Sequence, residues 1–125
     1  MIVGIGTQVL ECARVRKLID RYGEAFLRRV YTDREIGRCN ADPRTTEAFA
    51  SVWAAKEAVF RALGRPWRRG TEWTDVEIGS SNAVAVGGAT ADRMAATGAT
   101  RVLVTTANCR TFATATAIAL ADRPA

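Results

Sequence analysis

Apolar and polar positions follow helical spacing through the first half of the chain and extended spacing beyond Gly70. The opening run Ile2–Gln8, IVGIGTQ, predicts a short strand ending in Gly6-Thr7-Gln8. Cys12, Val15, Ile19 and Tyr22 then recur at three- and four-residue steps, which predicts a helix with Arg14, Lys17 and Arg21 on another face and Gly23 at its end. Thr32-Asp33-Arg34-Glu35 has the spacing of a capping box and predicts a short helix. A long helix is predicted from Asp42-Pro43, with Asp as cap and Pro in the first turn, to Leu63 before Gly64. Later, Trp73–Ile78, Ala83–Val86, Arg101–Thr106 and Thr111–Leu120 read as strands, and Thr90–Thr97 as a small helix closed by Gly98. The last strand sets Ala113, Ala115, Ala117 and Ala119 on one side and Thr114, Thr116, Ile118 and Leu120 on the other. An alanine row lets another element approach closely, and suits helix packing and a subunit interface equally. Strand, helices, then a meander with one inserted helix predict a single α+β domain over residues 1–125.

Within the long helix, Phe49–Gly64 reads FASVWAAKEAVFRALG and holds Lys56, Glu57 and Arg61 in an apolar setting. Ionisable groups on such an element are costly unless paired or bound to a ligand. Glu57 and Arg61 have the spacing of a surface i,i+4 pair. Alternatively, with Ala50 and Ala54 on the same face leaving room, Glu57 holds a hard cation.

At 125 residues, 48% hydrophobic and 25% charged, the chain has the composition of an ordinary globule. It has no low-complexity segment or internal repeat. No run of about 18 apolar residues could span a bilayer, and the opening residues lead into a strand rather than a charged leader, so the expectation is a cytoplasmic protein with no membrane partner. Cys12, Cys39 and Cys109 are odd in number and widely spaced, and histidine is absent, which argues against a zinc site and a histidine-activated thiol. Reduced, partly buried thiols are expected. The net charge is +5, with sixteen arginines and only Lys17 and Lys56 as lysines. Residues 1–70 hold 14 basic and 8 acidic side chains, a net +6, whereas residues 71–125 hold 4 and 5, a net −1. Arginine suits bidentate binding of phosphate and carboxylate, so an anionic partner is expected. Without a stacking motif or recognition helix, nucleic acid is not the expected one.

Four motifs in order resemble one family. Gly4-Ile5-Gly6-Thr7-Gln8, Val9, Glu11 and Arg14 resemble a G-I-G-T-D-V-E-x-x-R pattern; Phe26, Arg29, Thr32 and Glu35 resemble F-x-x-R-x-x-T-x-x-E. Phe49-Ala50, Trp53 to Ala58, Arg61-Ala62 and Gly64 resemble F-A-x-R-F-A-A-K-E-A-x-x-K-A-x-G, and Gly70, Trp73, Asp75, Val76 and Glu77 resemble G-x-x-W-x-D-I-E. Together they resemble the holo-acyl-carrier-protein synthase family of 4'-phosphopantetheinyl transferases. The resemblance implies an antiparallel sheet packed against a long helix, a homotrimer with sites between subunits, and transfer of phosphopantetheine from coenzyme A to a serine of an acyl carrier protein of fatty acid or polyketide biosynthesis. It implies magnesium on the donor pyrophosphate, with Glu57 as metal ligand and catalytic group. Lys56, also catalytic, and Arg61 would meet coenzyme A phosphates, joined by the basic loop at Arg65, Arg68 and Arg69. Arg14, Lys17 and Arg21 would receive the acidic carrier.

The chain departs from these signatures at three places. Gln8 stands where the metal-binding aspartate is expected and offers only a weak, neutral ligand. Val52 replaces a signature arginine, removing one phosphate partner. The late V-S-x-S-H-type element reads Val104-Thr105-Thr106-Ala107-Asn108, without histidine, and the G-x-P loop reads Gly79-Ser80-Ser81-Asn82. Two readings follow: a transferase with a weakened magnesium site, or a divergent relative that binds a carrier protein or acts on its tethered intermediate in a specialised pathway.

Overall fold

The computed structural model describes residues 1–64 and 72–122, so the loop arginines Arg65, Arg68 and Arg69 lie outside the described residues. Strand β1 (Ile2–Glu11) leads into helices α1 (Cys12–Tyr22), α2 (Glu24–Val30), α3 (Asp33–Ala41) and α4 (Thr45–Ala62). A 3-10 turn at Trp73–Asp75 precedes β2 (Val76–Ile78) and β3 (Val84–Val86), followed by α5 (Gly88–Thr97), β4 (Arg101–Asn108) and β5 (Phe112–Leu120). Two antiparallel sheets result, one ordered β1-β5-β4 and one formed by β2 and β3. The α+β architecture with an antiparallel sheet on a long helix is the expected one.

Several local boundaries moved for identifiable reasons. β1 continues past Gln8 to Glu11 because β5 supplies a ladder partner to its end, pairing Leu10 with Ala113 and Glu11 with Phe112. Helix α4 begins at Thr45, not at Asp42-Pro43. Asp42 instead closes the preceding turn, its Oδ1 accepting from the Arg44 N–H at 2.8 Å. The capping box of α3 is present, with the Glu35 N–H donating to Thr32 Oγ1 and the Thr32 N–H to Glu35 Oε1. Helix α2, not anticipated, turns Leu27 and Val30 into the core. Helix α5 ends as predicted at Gly98, whose φ of 85° is the left-handed conformation glycine tolerates.

The core is α4 laid across the three-stranded sheet. Ala50, Ala54, Ala55, Ala58 and Ala62 are buried on the helix, and Ala113, Ala115, Ala117 and Ala119 on β5. The β5 alanine row is therefore spent on helix packing within the chain, and its Thr114/Thr116 side faces outward. β1 comes closer still. A Cβ on Gly4 would lie 1.7 Å from the Ala62 carbonyl oxygen, and one on Gly6 2.1 Å from that of Ala58, so no side chain fits between strand and helix there.

Lys56 points from α4 to the opposite side, into the space under α3 and β2, and is fully buried with Glu35. Its ammonium meets Glu35 Oε1 at 2.7 Å and donates to the carbonyls of Val76 at 2.7 Å and Trp73 at 3.2 Å. Glu35 Oε2 accepts the Ile78 N–H at 2.7 Å. Burial pulls the Lys56 pKa below the ordinary lysine value, and the Glu35 charge opposes that pull. The Lys56 donors are thus engaged in the interior, joining α3 and β2 to α4. Removing one partner leaves the other charge buried, so Lys56→Met should cost about 3–5 kcal/mol of stability in urea unfolding. Replacing Glu35 as well should recover part of that loss. A single substitution costing under about 1 kcal/mol would contradict the pairing.

Candidate active site at the β1–α4 edge

Glu57 follows Lys56 in sequence, but the helical turn of about 100° per residue sends it to the β1 side of α4. It is half-buried there, beside Gln8, which the inward-facing pleat of β1 presents together with Gly6 and Leu10. The Gln8 side-chain amide donates from Nε2 to Glu57 Oε2. Its Oε1 accepts the Val9 N–H at 3.0 Å. Arg61, one turn after Glu57, is exposed and donates from Nη1 to the Thr7 carbonyl at 3.1 Å. Gln8, Glu57 and Arg61 thus meet at one edge, held by the glycine contact between β1 and α4.

The donor set defines what this edge can hold. Among the described residues no cluster of three or more His, Cys, Asp or Glu could bind a metal. Magnesium sites that share substrate phosphates use one or two carboxylates, so Glu57 meets the lower end of that requirement. Gln8 turns its NH₂, not its carbonyl, toward Glu57, and its amide must turn over before Oε1 can join a cation. A metal held here would rest on Glu57, with Gln8 adding an uncharged oxygen.

On another side, α1 exposes Arg14, Lys17 and Arg21 as expected. Arg14 lies 6.0 Å over the Trp53 ring, and Arg21 5.5 Å over that of Tyr22. Beside them opens an apolar groove of about 540 Å³ lined by Leu18, Tyr22, Phe26, Arg29, Trp53 and Trp73. Sequence reading missed this groove because its walls come from α1, α2, α4 and the turn before β2. It also missed Glu35 as the partner of Lys56, having assigned that carboxylate to the capping box alone. The cysteines are free: burial raises the thiol pKa of Cys12 and pushes that of Cys39 up to about 12, whereas backbone N–H groups of Phe112 and Thr111 lower that of exposed Cys109.

The sequence profile of the 4'-phosphopantetheinyl transferase superfamily matches residues 4–117. The chain belongs to this superfamily. A holo-[acyl-carrier-protein] synthase of Rhodopirellula baltica is 51% identical over 77 residues, covering 62% of this chain and 61% of that protein. The matched segment thus spans about three-fifths of that relative. Among solved structures, holo-[acyl-carrier-protein] synthase from Neisseria meningitidis superposes with a TM-score of 0.82 at 25% identity, covering 96% of this chain and 99% of that one. A Bacillus anthracis holo-(acyl-carrier-protein) synthase in complex with CoA (3',5'-ADP) shares the fold with a TM-score of 0.78 at 24% identity, covering 98% and 99%.

In this phosphopantetheinyl transferase fold, the Gln8–Glu57 contact generates a direct test. Gln8→Asp places two carboxylates side by side, which repel without a cation and together compensate its charge when one binds. The variant should melt lower than the native chain in chelator, regain stability with magnesium, and bind magnesium at least about tenfold more tightly by calorimetry. Unchanged metal affinity in a folded Gln8→Asp protein would remove Gln8 and Glu57 as a metal-binding pair.

Proposed function

We propose that this protein is a holo-acyl-carrier-protein synthase-type transferase, moving 4'-phosphopantetheine from coenzyme A to a serine of an acyl carrier protein. The observation that carries the reading is the convergence of Gln8, Glu57 and Arg61 at one accessible edge. In the reaction the serine oxygen loses its proton to solvent and bonds to the phosphorus that carries the pantetheine arm, the pyrophosphate P–O bond breaks, and the nucleotide leaves with the negative charge. Arg61 binds the donor phosphates by charge-assisted hydrogen bonds, and Glu57, with the uncharged oxygen of Gln8, would hold magnesium. Magnesium, when bound, stabilises the charge that develops on the leaving pyrophosphate oxygen. Lost carboxylate charge at Gln8 makes the native enzyme slow. The basic loop at Arg65, Arg68 and Arg69 adds cations for the same phosphates.

The carrier docks on α1. Arg14, Lys17 and Arg21 beside the groove of Leu18, Phe26 and Trp53 suit an acidic helix that inserts an apolar side chain. Transfer of labelled phosphopantetheine from coenzyme A to an apo-carrier protein tests the function. In that assay Arg14→Glu should raise the KM for the carrier about tenfold or more and flatten its salt dependence, while leaving coenzyme A affinity unchanged. Carrier binding without any transfer, by the native chain and by Gln8→Asp alike, would replace this reading with that of a carrier-binding relative.

The active assembly is a homotrimer. On the outward face of the large sheet, Ile5, Ile118 and Leu103 stand in register across β1, β5 and β4, flanked by the row Thr7, Thr116 and Thr105. Ile5 is 62% and Leu103 47% exposed, and Val9 and Phe112 add to this apolar surface. Such a face is covered by further copies of the chain more readily than by water. Ile5→Glu should convert the trimer to monomer in sedimentation and abolish transfer if sites lie between subunits. A native chain that sediments as a monomer at micromolar concentration would rule out the composite site. Among the described residues no helix is long and apolar enough to cross a membrane, and a cytoplasmic location fits the proposed partners.

A further inference from the structure

The groove beside α1 has the size and lining of a small-molecule site. At about 540 Å³ it falls within the range of about 300–1,000 Å³ usual for such sites, and its walls are mainly apolar and aromatic, with Leu18, Tyr22, Phe26, Trp53 and Trp73. Arg29 stands in the wall, and Arg14 lies over the Trp53 ring. Both arginines are exposed, and among the described residues neither has an ion pair or a hydrogen bond. On the same two helices Arg16 is paired with Asp20, and Arg28 with Glu24 and Asp33. No carboxylate lines the groove among the described residues. By contrast, a cavity of about 410 Å³ at Val52, Asn108 and the loop Gly79-Ser80-Ser81-Asn82 has both Arg38 and Asp42 in its wall.

Trp53 supplies a second, independent sign. It is 7% exposed, and its indole Nε1–H is buried with no hydrogen-bond partner. A buried tryptophan donor ordinarily finds an acceptor. Trp53 keeps the aromatic character of the signature's phenylalanine and adds to the groove wall a donor that the core leaves unused. An alkyl chain with a carboxylate at one end matches this surface. Its methylenes remove the aromatic walls from water, its carboxylate pairs with a planar guanidinium, and a carboxylate oxygen can accept from the indole. Exposed ion pairs contribute little by themselves, so the chain supplies most of the affinity and the charged end supplies the selectivity.

We propose that this groove is a small-molecule site for an alkyl chain with a terminal carboxylate, such as a free fatty acid, whose binding shuts out the carrier protein. The exclusion of the carrier rests on the docking proposed above; the site itself does not. Calorimetric titration of the native protein with decanoate, below its micelle-forming concentration, should show saturable binding of one molecule per chain. Affinity should rise about tenfold or more from hexanoate to decanoate. It should be about fivefold or more weaker for decanol, and for decanoate on Arg29→Gln. Trp53→Phe, which carries the signature's own residue, should weaken decanoate about threefold. In the transfer assay decanoate should raise the KM for the apo-carrier and leave kcat and the KM for coenzyme A unchanged. Absence of saturable binding overturns the site, and so does decanol binding as tightly as decanoate, or a folded Arg29→Gln protein with unchanged decanoate affinity. Decanoate that binds but leaves the carrier KM unchanged overturns the exclusion of the carrier. Decanoate binding with these selectivities, in a protein that neither transfers phosphopantetheine nor binds a carrier, supports the site and overturns the transferase reading.

Discussion

Contact between the backbones of β1 and α4 sets the position of almost everything else. At Gly4 and Gly6 the strand lies so close to the helix that an added Cβ would fall within 1.7 and 2.1 Å of helix carbonyl oxygens. Alanines at 54, 58 and 62 on the helix and at 113, 115, 117 and 119 on β5 extend this close approach over the sheet. Interiors packed at such density leave no room for adjustment, so a substitution at either glycine must move strand or helix bodily. The functional consequence is local. One pleat beyond Gly6, the same approach brings the Gln8 amide within hydrogen-bonding reach of Glu57, and it carries the Thr7 carbonyl to Arg61.

The opposite side of α4 is held by different physics. Lys56 and Glu35 are both excluded from water, and their cost is offset because nearly every polar atom has a partner: Glu35 receives the Thr32 and Ile78 N–H groups, and Lys56 reaches two carbonyls. This cluster joins the second, third and fourth sequence motifs in one place. Neighbouring residues of the long helix therefore have unrelated surroundings, Lys56 joined to α3 and β2 and Glu57 facing β1.

Around that framework the chain distributes three polar surfaces of different character. Arginines and an apolar groove on α1 and α2 suit a macromolecule with an acidic, partly apolar face. The Gln8–Glu57–Arg61 edge gathers an amide, a carboxylate and an exposed guanidinium. The cavity at Val52 and Asn108 is lined by hydroxyls and amides together with Arg38 and Asp42.

Local pattern alone determined the elements with strong local causes: the amphipathic period of α1, the capping box of α3, the glycine end of α5 and the alternation of β5. The motifs also determined which residues merited attention, and Gln8, Glu57 and Arg61 do meet. Tertiary structure decided what no window of sequence contains. The length of β1 depended on a partner strand about 100 residues away. The alanine row could face helix or subunit until α4 was seen to cover it. Lys56 and Glu57 look equivalent in sequence, and only the packing of α3 and β2 against one side of the helix separates the buried ion pair from the half-buried carboxylate beside β1. Val52, Asn108 and the loop at residue 80 share no local signal, because a cavity belongs to the elements that enclose it and to none of them singly.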